Sequence, residues 1–341
     1  MQQDLFGLTP AGEAVYVYTL RNTAGMAVRL LDYGATLMQC WVPDREGHFG
    51  DVVLGCDTLH DYIQHSPYFG ATVGRVANRI ANARYAREGR TWQLDHNDGK
   101  HHLHGGHQGF DKRVWRVESI AGERNALDFH LLSPDGDGGY PGELAVSVRY
   151  TLLEDNSLQI DYSARTSALT PCNLSNHSYW NLACHDSVLQ HTLALHAEHY
   201  LEVDPELIPT GRVLPVADTP FDFRRARALG RDLQVLPDGY DHNFVVAAAR
   251  RSQPEPAAEL YDPESGRYLQ VYTTEPGIQC YTGNFLNGVP GKAGASYARF
   301  GGICLETQMF PDAVHHDHFP SVWLHPGEHY HQHTRYAFSL R

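Results

Sequence analysis

The sequence predicts an all-β protein, and two features support that prediction. The first is a hydrophobic periodicity of two: from Leu144 to Leu152 every even position is large and apolar, while the odd positions hold Ala, Ser, Arg and Thr. Such alternation is typical of a strand with one buried face. The second is the abundance of turn residues, since 31 Gly and 19 Pro separate many short runs of this kind. Short strands joined by turns are expected from this pattern.

The strands can be placed in order along the chain. The alternation resumes at 158–162 after the turn-like segment 154–157, which predicts a hairpin with 144–152, and 127–131 predicts a third strand before them. Helix is expected to be sparse, with short candidates at 58–63 and 221–229. Further strands are expected over 14–20, 27–31, 37–42, 51–54, 91–94, 193–195, 268–273 and 336–340.

A single domain over residues 1–341 is expected. A chain of 341 residues has room for two domains, but an all-β sandwich can reach this length as one. The one weak boundary is 247–258, which is rich in Pro and charged residues. Strand patterns continue on both sides of it, so we interpret it as a surface loop.

Composition excludes several classes of protein. Hydrophobic residues make up 42% and charged residues 20%, which is ordinary for a soluble globular protein. A net charge of -13 argues against nucleic acid as a partner. No apolar run approaches the roughly 18 residues of a membrane span, and we expect the first residues not to be a secretory signal. The six cysteines form no Cys-x-x-Cys pair, so buried free thiols and a cytoplasmic location are expected.

The densest polar and aromatic cluster is Asn-His-Ser-Tyr-Trp-Asn at 176–181. A lone histidine is more often structural than catalytic, but His177 lies among hydrogen-bonding groups, which favours an acid–base role. Far along the chain, Glu306 follows Leu305 in a strand-like run. If Glu306 points inward it needs a partner, because burying an unpaired carboxylate is costly. A solvent-facing Glu306 is the alternative.

Four other stretches hold more polar or glycine residues than a strand needs. Two arginines and two asparagines at 74–82 form either a donor fork for ligand oxygens or a surface loop. Four histidines at 101–107 suggest a metal site or another polar site, and the adjacent glycines suggest close backbone approach. The Gly-rich segment 133–142 is interpreted as a long hairpin loop. The C-terminal histidines from 315 onward lack ligand spacing, so no metal is predicted.

Seven stretches, taken in order, resemble the aldose 1-epimerase family, the galactose mutarotases. The resemblance implies a supersandwich of two large, mostly antiparallel β-sheets with an open sugar-binding cleft. The matching stretches are Gly-Arg-Val-Ala-Asn-Arg-Ile at 74–80, Leu-His-Gly-Gly at 103–106, Gly-Tyr-Pro-Gly at 139–142, Asn-His-Ser-Tyr-Trp-Asn-Leu at 176–182, Asp-His-Asn-Phe at 241–244, Gly-Ile-Gln-Cys-Tyr-Thr-Gly-Asn at 277–284 and Leu-Glu-Thr-Gln at 305–308.

The resemblance also implies a function and residue roles. The expected activity is interconversion of the α and β anomers of free aldoses, D-galactose first and D-glucose also, with no cofactor and no metal. The expected partner is the monosaccharide, and a monomer or a homodimer would fit. His177 matches the general acid and Glu306 the general base. The expected substrate-binding residues are Asn78, Arg79, His104, Tyr179, Asn181, Asp241 and Gln279.

This chemistry predicts charge states and leaves rivals to weigh. A cationic His177 and an ionised Glu306 beside Arg79 are expected at rest. A carbohydrate-binding protein without turnover would use the same cleft but would not need the His177 and Glu306 pair. A glycosidase would need two carboxylates flanking the bond. A metal-dependent β-sandwich enzyme would lose its activity to a chelator.

Overall fold

The computed structural model describes residues 2–119 and 122–341, and its strands form three large antiparallel sheets. The all-β prediction is confirmed. The first sheet has five strands in sequence order and opens the chain. Its strands are Gln2–Leu8, Ala14–Arg21, Ala27–Leu31, Thr36–Pro43 and Phe49–Asp51.

The second sheet has nine strands and forms one large layer. Its last strand in sequence, Tyr330–Leu340, lies in the middle, between Ser157–Thr166 and Arg267–Thr273. In spatial order the strands are Arg116–Ser119, Ala126–Ser133, Leu144–Leu152, Ser157–Thr166, Tyr330–Leu340, Arg267–Thr273, Glu255–Tyr261, Thr192–Leu195 and Arg227–Ala228.

The third sheet has six strands and contains Glu306. In spatial order these are Tyr179–Trp180, Ile303–Gln308, Gly277–Tyr281, Asp241–Val245, His199–Val203 and Pro209–Pro215. Five two-stranded pieces complete the described sheets. They pair Arg79–Ile80 with His102–Leu103, Thr72–Val73 with Ser175–Asn176, Arg84–Arg87 with Arg90–Gln93, Thr170–Pro171 with Trp323–Leu324, and Val289–Pro290 with Ser296–Tyr297.

The sheets pack face to face over one large apolar core. Val148 and Tyr336 from the nine-stranded sheet, Leu305 and Ile278 from the six-stranded sheet, and Leu30 from the five-stranded sheet all belong to it. Because each strand alternates its side chains, the opposite face of the six-stranded sheet is left for polar groups. That second face carries the cleft described below.

Most local predictions hold, and three are wrong. The hairpin and the strand before it occur where the sequence placed them, and the short helix Leu59–Gln64 begins after an N-cap at Thr58. At 51–54 the strand ends at Asp51 and only an isolated bridge at Val53 follows. The segment 221–229 contains no α-helix, and the supposed loop 247–258 already enters the strand Glu255–Tyr261.

The described helices are few and short. Leu59–Gln64 is α-helical, and none of the helices in residues 2–119 and 122–341 has the length and apolar character needed to cross a membrane. All six cysteines are free, as expected, and five of them are buried. Single 3₁₀ turns occupy Ala81–Ala83, Phe110–Lys112, Asp137–Gly139, Val188–Gln190, Leu229–Asp232, Lys292–Gly294 and Ala313–His315.

Candidate active site

The floor of the cleft is the polar face of the six-stranded sheet. Glu306 lies directly opposite Gln279 in the antiparallel register. Because its neighbour Leu305 packs into the large core, strand alternation turns Glu306 to the other face. The inward orientation is therefore the one adopted, and Glu306 is only 2% exposed. Asp241 reaches the same face from the next strand, where its Oδ1 accepts a hydrogen bond of 2.7 Å from Gln279.

Two loops form the wall of the cleft, and they are pressed tightly together. Gly105 has a φ of +90°, and a Cβ there would lie 1.7 Å from the carbonyl oxygen of Gly74, so only glycine fits. Across this contact the backbone N–H of Asn78 donates to Nδ1 of His104 at 3.1 Å, and the N–H of His104 donates to the carbonyl of Asn78 at 3.1 Å. The predicted close backbone approach is confirmed.

Three residues of the cleft have strained backbone conformations. Tyr68, Asn78 and His104 all have left-handed φ angles, of 68°, 64° and 51°. Non-glycine residues adopt this region at an energetic cost, which is often found at functional sites. These three residues all line the cleft.

His177 is held rigidly at the base of the cleft. Its backbone N–H donates to the carbonyl of Ala71 at 2.9 Å, and its carbonyl accepts from Gly70 at 3.0 Å. Its ring lies between two tyrosine rings that are close to parallel with it: Tyr68 at 5.5 Å and 27°, and Tyr179 at 5.1 Å and 28°. Because the two faces of the imidazole are packed in this way, its two nitrogen atoms are the parts left to interact with other groups.

His177 and Glu306 face each other. Nε2 of His177 lies 3.7 Å from Oε1 of Glu306, and Oε2 of Glu306 is buried without a hydrogen-bond partner among the described residues. Burial lowers the pKa of His177 to about 4, opposed by its own backbone carbonyl. Burial and the nearby Asp241 raise the pKa of Glu306 well above its ordinary value, opposed by Arg79. Both pKa shifts run against the expected cationic His177 and ionised Glu306.

Arg79 is held between two carboxylates. Its Nε donates to Asp98 at 2.8 Å, and its Nη1 lies 3.9 Å from Asp241. Burial raises the pKa of Asp241, while Arg79 and Gln279 oppose that shift. The other arginine of the same loop, Arg75, is buried and donates to the backbone carbonyls of Ser133 and Pro134. Of these two arginines, only Arg79 lines the cleft and can donate to a ligand.

The cleft is a cavity of about 130 Å³. Seven predicted site residues line it: Asn78, Arg79, His104, His177, Tyr179, Asp241 and Glu306. Gln279 donates a hydrogen bond to Asp241 from the neighbouring strand and is not in the lining. The prediction for Asn181 is corrected, since its amide donates to the carbonyls of His185 and Gly301 and it does not reach the cleft.

The sequence reasoning missed the apolar part of the lining. It consists of Pro67, Tyr68, Leu103, Tyr281 and Phe285. Tyr281 lies within the family-like stretch 277–284, and Tyr68 lies a few residues before the polar stretch 74–82. Aromatic residues next to glycine- and asparagine-rich loops were the available signal.

The donor set of the cleft also has the composition of a metal site. One ligand atom each from His104, His177 and Glu306 lies within 4.8 Å of the others, and two histidines with a glutamate can bind zinc. However, Nδ1 of His104 accepts the Asn78 N–H, so its Nε2 carries the hydrogen. This tautomer suits donation to a sugar oxygen and not coordination of a metal.

Comparisons with known proteins point to one family. The family model described as aldose 1-epimerase matches residues 16–337. The chain is 44% identical to the galactose mutarotase of Sus scrofa, over 99% of this chain and 98% of that one. It is 40% identical to the aldose 1-epimerase of Escherichia coli K12, over 97% of each.

Solved structures agree in fold. An aldose epimerase homologue from C. elegans superposes with a TM-score of 0.88 at 34% identity, covering 95% of this chain and 98% of that one. A galactose 1-epimerase from Lactobacillus acidophilus superposes with a TM-score of 0.86 at 30% identity, covering 99% and 98%. The expected antiparallel supersandwich fold is confirmed, although its strands form three large sheets where two were expected.

Proposed function

Since the chain belongs to the aldose 1-epimerase family, whose isomerase activity interconverts the anomers of aldoses, we propose that His177 and Glu306 perform the two proton transfers. D-Galactose is the proposed first substrate, with D-glucose also accepted. The observation that carries the proposal is the facing pair itself: Nε2 of His177 lies 3.7 Å from Oε1 of Glu306, and no described residue hydrogen-bonds to the second carboxylate oxygen. A protein that only binds sugar has no need for such a pair.

Ring opening requires one proton to be delivered and another removed. His177 donates from Nε2 to the ring oxygen as the C1–O bond breaks, while Glu306 accepts the proton of the anomeric hydroxyl as the carbonyl forms. Rotation about C1–C2 then presents the other face. On closure Glu306 returns its proton to the C1 oxygen, and His177 recovers its own from the ring oxygen. Both groups end as they began, and no cofactor enters the balance.

The burial of His177 and Glu306 affects the energetics of these proton transfers. Imidazolium with carboxylate, and neutral imidazole with carboxylic acid, hold the same number of protons. The imidazolium and carboxylate are needed before the ring opens, and the neutral imidazole and carboxylic acid are present after it has opened. Burial favours the neutral pair, because it lowers the pKa of His177 and raises that of Glu306. The cleft therefore assists the opening step, once sugar hydroxyls supply the hydrogen bonds that the ionised pair lacks.

The rest of the proposed site binds sugar hydroxyls. Arg79 and the Nε2–H of His104 donate, and the free oxygen of Asp241 accepts. Asn78 reaches the cavity from the same wall, although its Oδ1 already accepts the Arg79 N–H at 2.8 Å. The ring of Tyr281 offers an apolar surface beside them.

Optical rotation of freshly dissolved α-D-galactose tests the proposal. We expect the wild type to accelerate the relaxation and Glu306→Gln to lose about 10²–10⁴-fold in turnover while still binding sugar. Near-normal activity of Glu306→Gln would remove Glu306 from its role. No acceleration by either protein would count against galactose, and D-glucose, D-xylose and L-arabinose would then be compared in the same assay.

The broader context of the molecule is also part of the proposal. We place the protein in the cytoplasm as a single domain over residues 1–341, acting as a monomer or homodimer. Fractionation with an antibody and the mass in solution test these statements.

A further inference from the structure

The proposed reaction leaves one buried reactive group of the site without a task. Cys304 lies two residues before Glu306 on the strand Ile303–Gln308, so both side chains point to the same face. It is fully buried, and its Sγ lies 3.5 Å from Nδ1 of His177. Glu306 and Cys304 thus approach opposite edges of the same imidazole ring.

No other described side chain around the imidazole competes for Nδ1, although the backbone carbonyl of His177 also favours a ring N–H. Tyr68 and Tyr179 cover its two faces, and His104 and Tyr281 approach it edge-on at 5.1 Å and 6.5 Å. With Glu306 and Cys304 these are the titratable side chains packed around the ring. Among the described side chains, Cys304 provides the only hydrogen-bond contact to Nδ1.

The thiol stays neutral. Burial, with Glu306 and Asp241 nearby, raises the pKa of Cys304 well above its ordinary value. A neutral sulfur is a weak acceptor. It can hold a ring N–H in place without stabilising the imidazolium as an aspartate in the same position would.

We propose that Cys304 is a positioning residue whose sulfur accepts the Nδ1–H of His177, so that Nε2 is the atom that exchanges protons with the sugar. The inference rests on the proposed role of His177. It explains why the ring points Nε2 at Glu306, and why the proton on His177 is weakly held and readily given to a poorly basic ring oxygen.

Matched cysteine variants test this. Cys304→Ala removes the acceptor, and Cys304→Ser replaces sulfur by a stronger one. Cys280→Ala is the control, since Cys280 is equally buried on the neighbouring strand but belongs to the large core. For each, kcat and KM for α-D-galactose are measured between about pH 5 and pH 9, a range that covers histidine titration. His177→Gln is measured in parallel.

We expect Cys304→Ala to lower kcat about fivefold to tenfold with little change in KM, as for the loss of one hydrogen bond. Cys304→Ser should keep most of kcat and move the pH profile upward, because its oxygen stabilises the imidazolium. Cys280→Ala should match the wild type.

The tautomer supplies an independent readout. In ¹⁵N-histidine spectra, the His177 signals are those absent from His177→Gln, and we expect hydrogen on Nδ1 in the wild-type protein at neutral pH. A wild-type kcat and pH profile in Cys304→Ala, or a bare Nδ1 in the wild type, would overturn the inference. Full activity of His177→Gln would instead overturn the proposed function.

Discussion

Two buried glutamates of this molecule stand in contrast. Glu275 is fully buried, and both of its oxygens are bound by Arg250, at 2.6 Å and 3.0 Å, with the guanidinium over the ring of Tyr330. Glu306 is buried almost as completely, yet its nearest cation candidate, His177, is 3.7 Å away, and one of its oxygens has no hydrogen-bond partner among the described residues. Burial raises the pKa of both.

The difference shows that a buried glutamate can either stabilise the fold or be kept ready to bind a ligand. Around Glu275 every charge is matched, which favours one conformation of the chain. Around Glu306 the matching is left incomplete, and the missing hydrogen bonds are those that a sugar can supply. An unsatisfied buried carboxylate costs stability, so its position in the cleft indicates function. The following predictions test whether the two glutamates divide in this way.

The largest effect is expected from the His177 and Glu306 pair. Each single change to Gln should lower turnover by about 10²–10⁴-fold. The double variant should lose little more than the worse single one, since residues that act as a unit are not additive. Polarimetry measures all three, and fully multiplicative losses would show that the two groups act independently.

At Glu275 the expected loss is one of stability. Glu275→Gln breaks a buried, bidentate pair and should lower the free energy of unfolding by about 3–5 kcal/mol, while turnover per folded molecule stays close to that of the wild type. Urea denaturation followed by fluorescence measures the first. Glu306→Gln is the matched control, and equal destabilisation by both changes would erase the distinction drawn above.

The pH dependence of stability should distinguish Glu306 from its amide. Its folded pKa is raised, so its contribution to stability is fully present below the unfolded pKa near 4.5 and is lost as pH rises toward the folded pKa. Gln does not titrate. The Tm of Glu306→Gln relative to the wild type should therefore increase as pH rises above about 4.5. A difference that is constant with pH would contradict the raised pKa.

The smallest effect is expected at the exposed side of Arg79. Asp98 is 37% exposed although its contact with Nε of Arg79 is short, at 2.8 Å. Exposed ion pairs contribute about 0.2–1 kcal/mol, so Asp98→Asn should raise KM by no more than about fivefold and leave kcat unchanged. Asp241→Ala is the comparison, and we expect it to weaken sugar binding more. If Asp98→Asn raised KM more than Asp241→Ala did, Asp98 and not Asp241 would be the carboxylate that mainly positions Arg79.

Sequence reasoning reached the fold and most of the polar cleft because both leave local marks. Alternation identified strands such as Leu144–Leu152, and motif resemblance pointed to His177 and Glu306. It could not identify the charge states, because the pKa of His177 depends on Tyr68 and Tyr179 packing around its ring. Nor could it distinguish Asn181 from Asn78. The sequence does not show whether a buried asparagine amide binds backbone carbonyls, as that of Asn181 does, or faces a ligand.

The central position of the strand Tyr330–Leu340 has a consequence for synthesis. More than 300 residues precede this strand, and it alone joins Ser157–Thr166 to Arg267–Thr273 in the nine-stranded sheet. Until Tyr330–Leu340 has been synthesised, each of those two strands has one unpaired edge, and unpaired edges can form hydrogen bonds with other chains. The sheet can close only after Tyr330–Leu340 has been synthesised, so the two edges stay unpaired until more than 300 residues have been made.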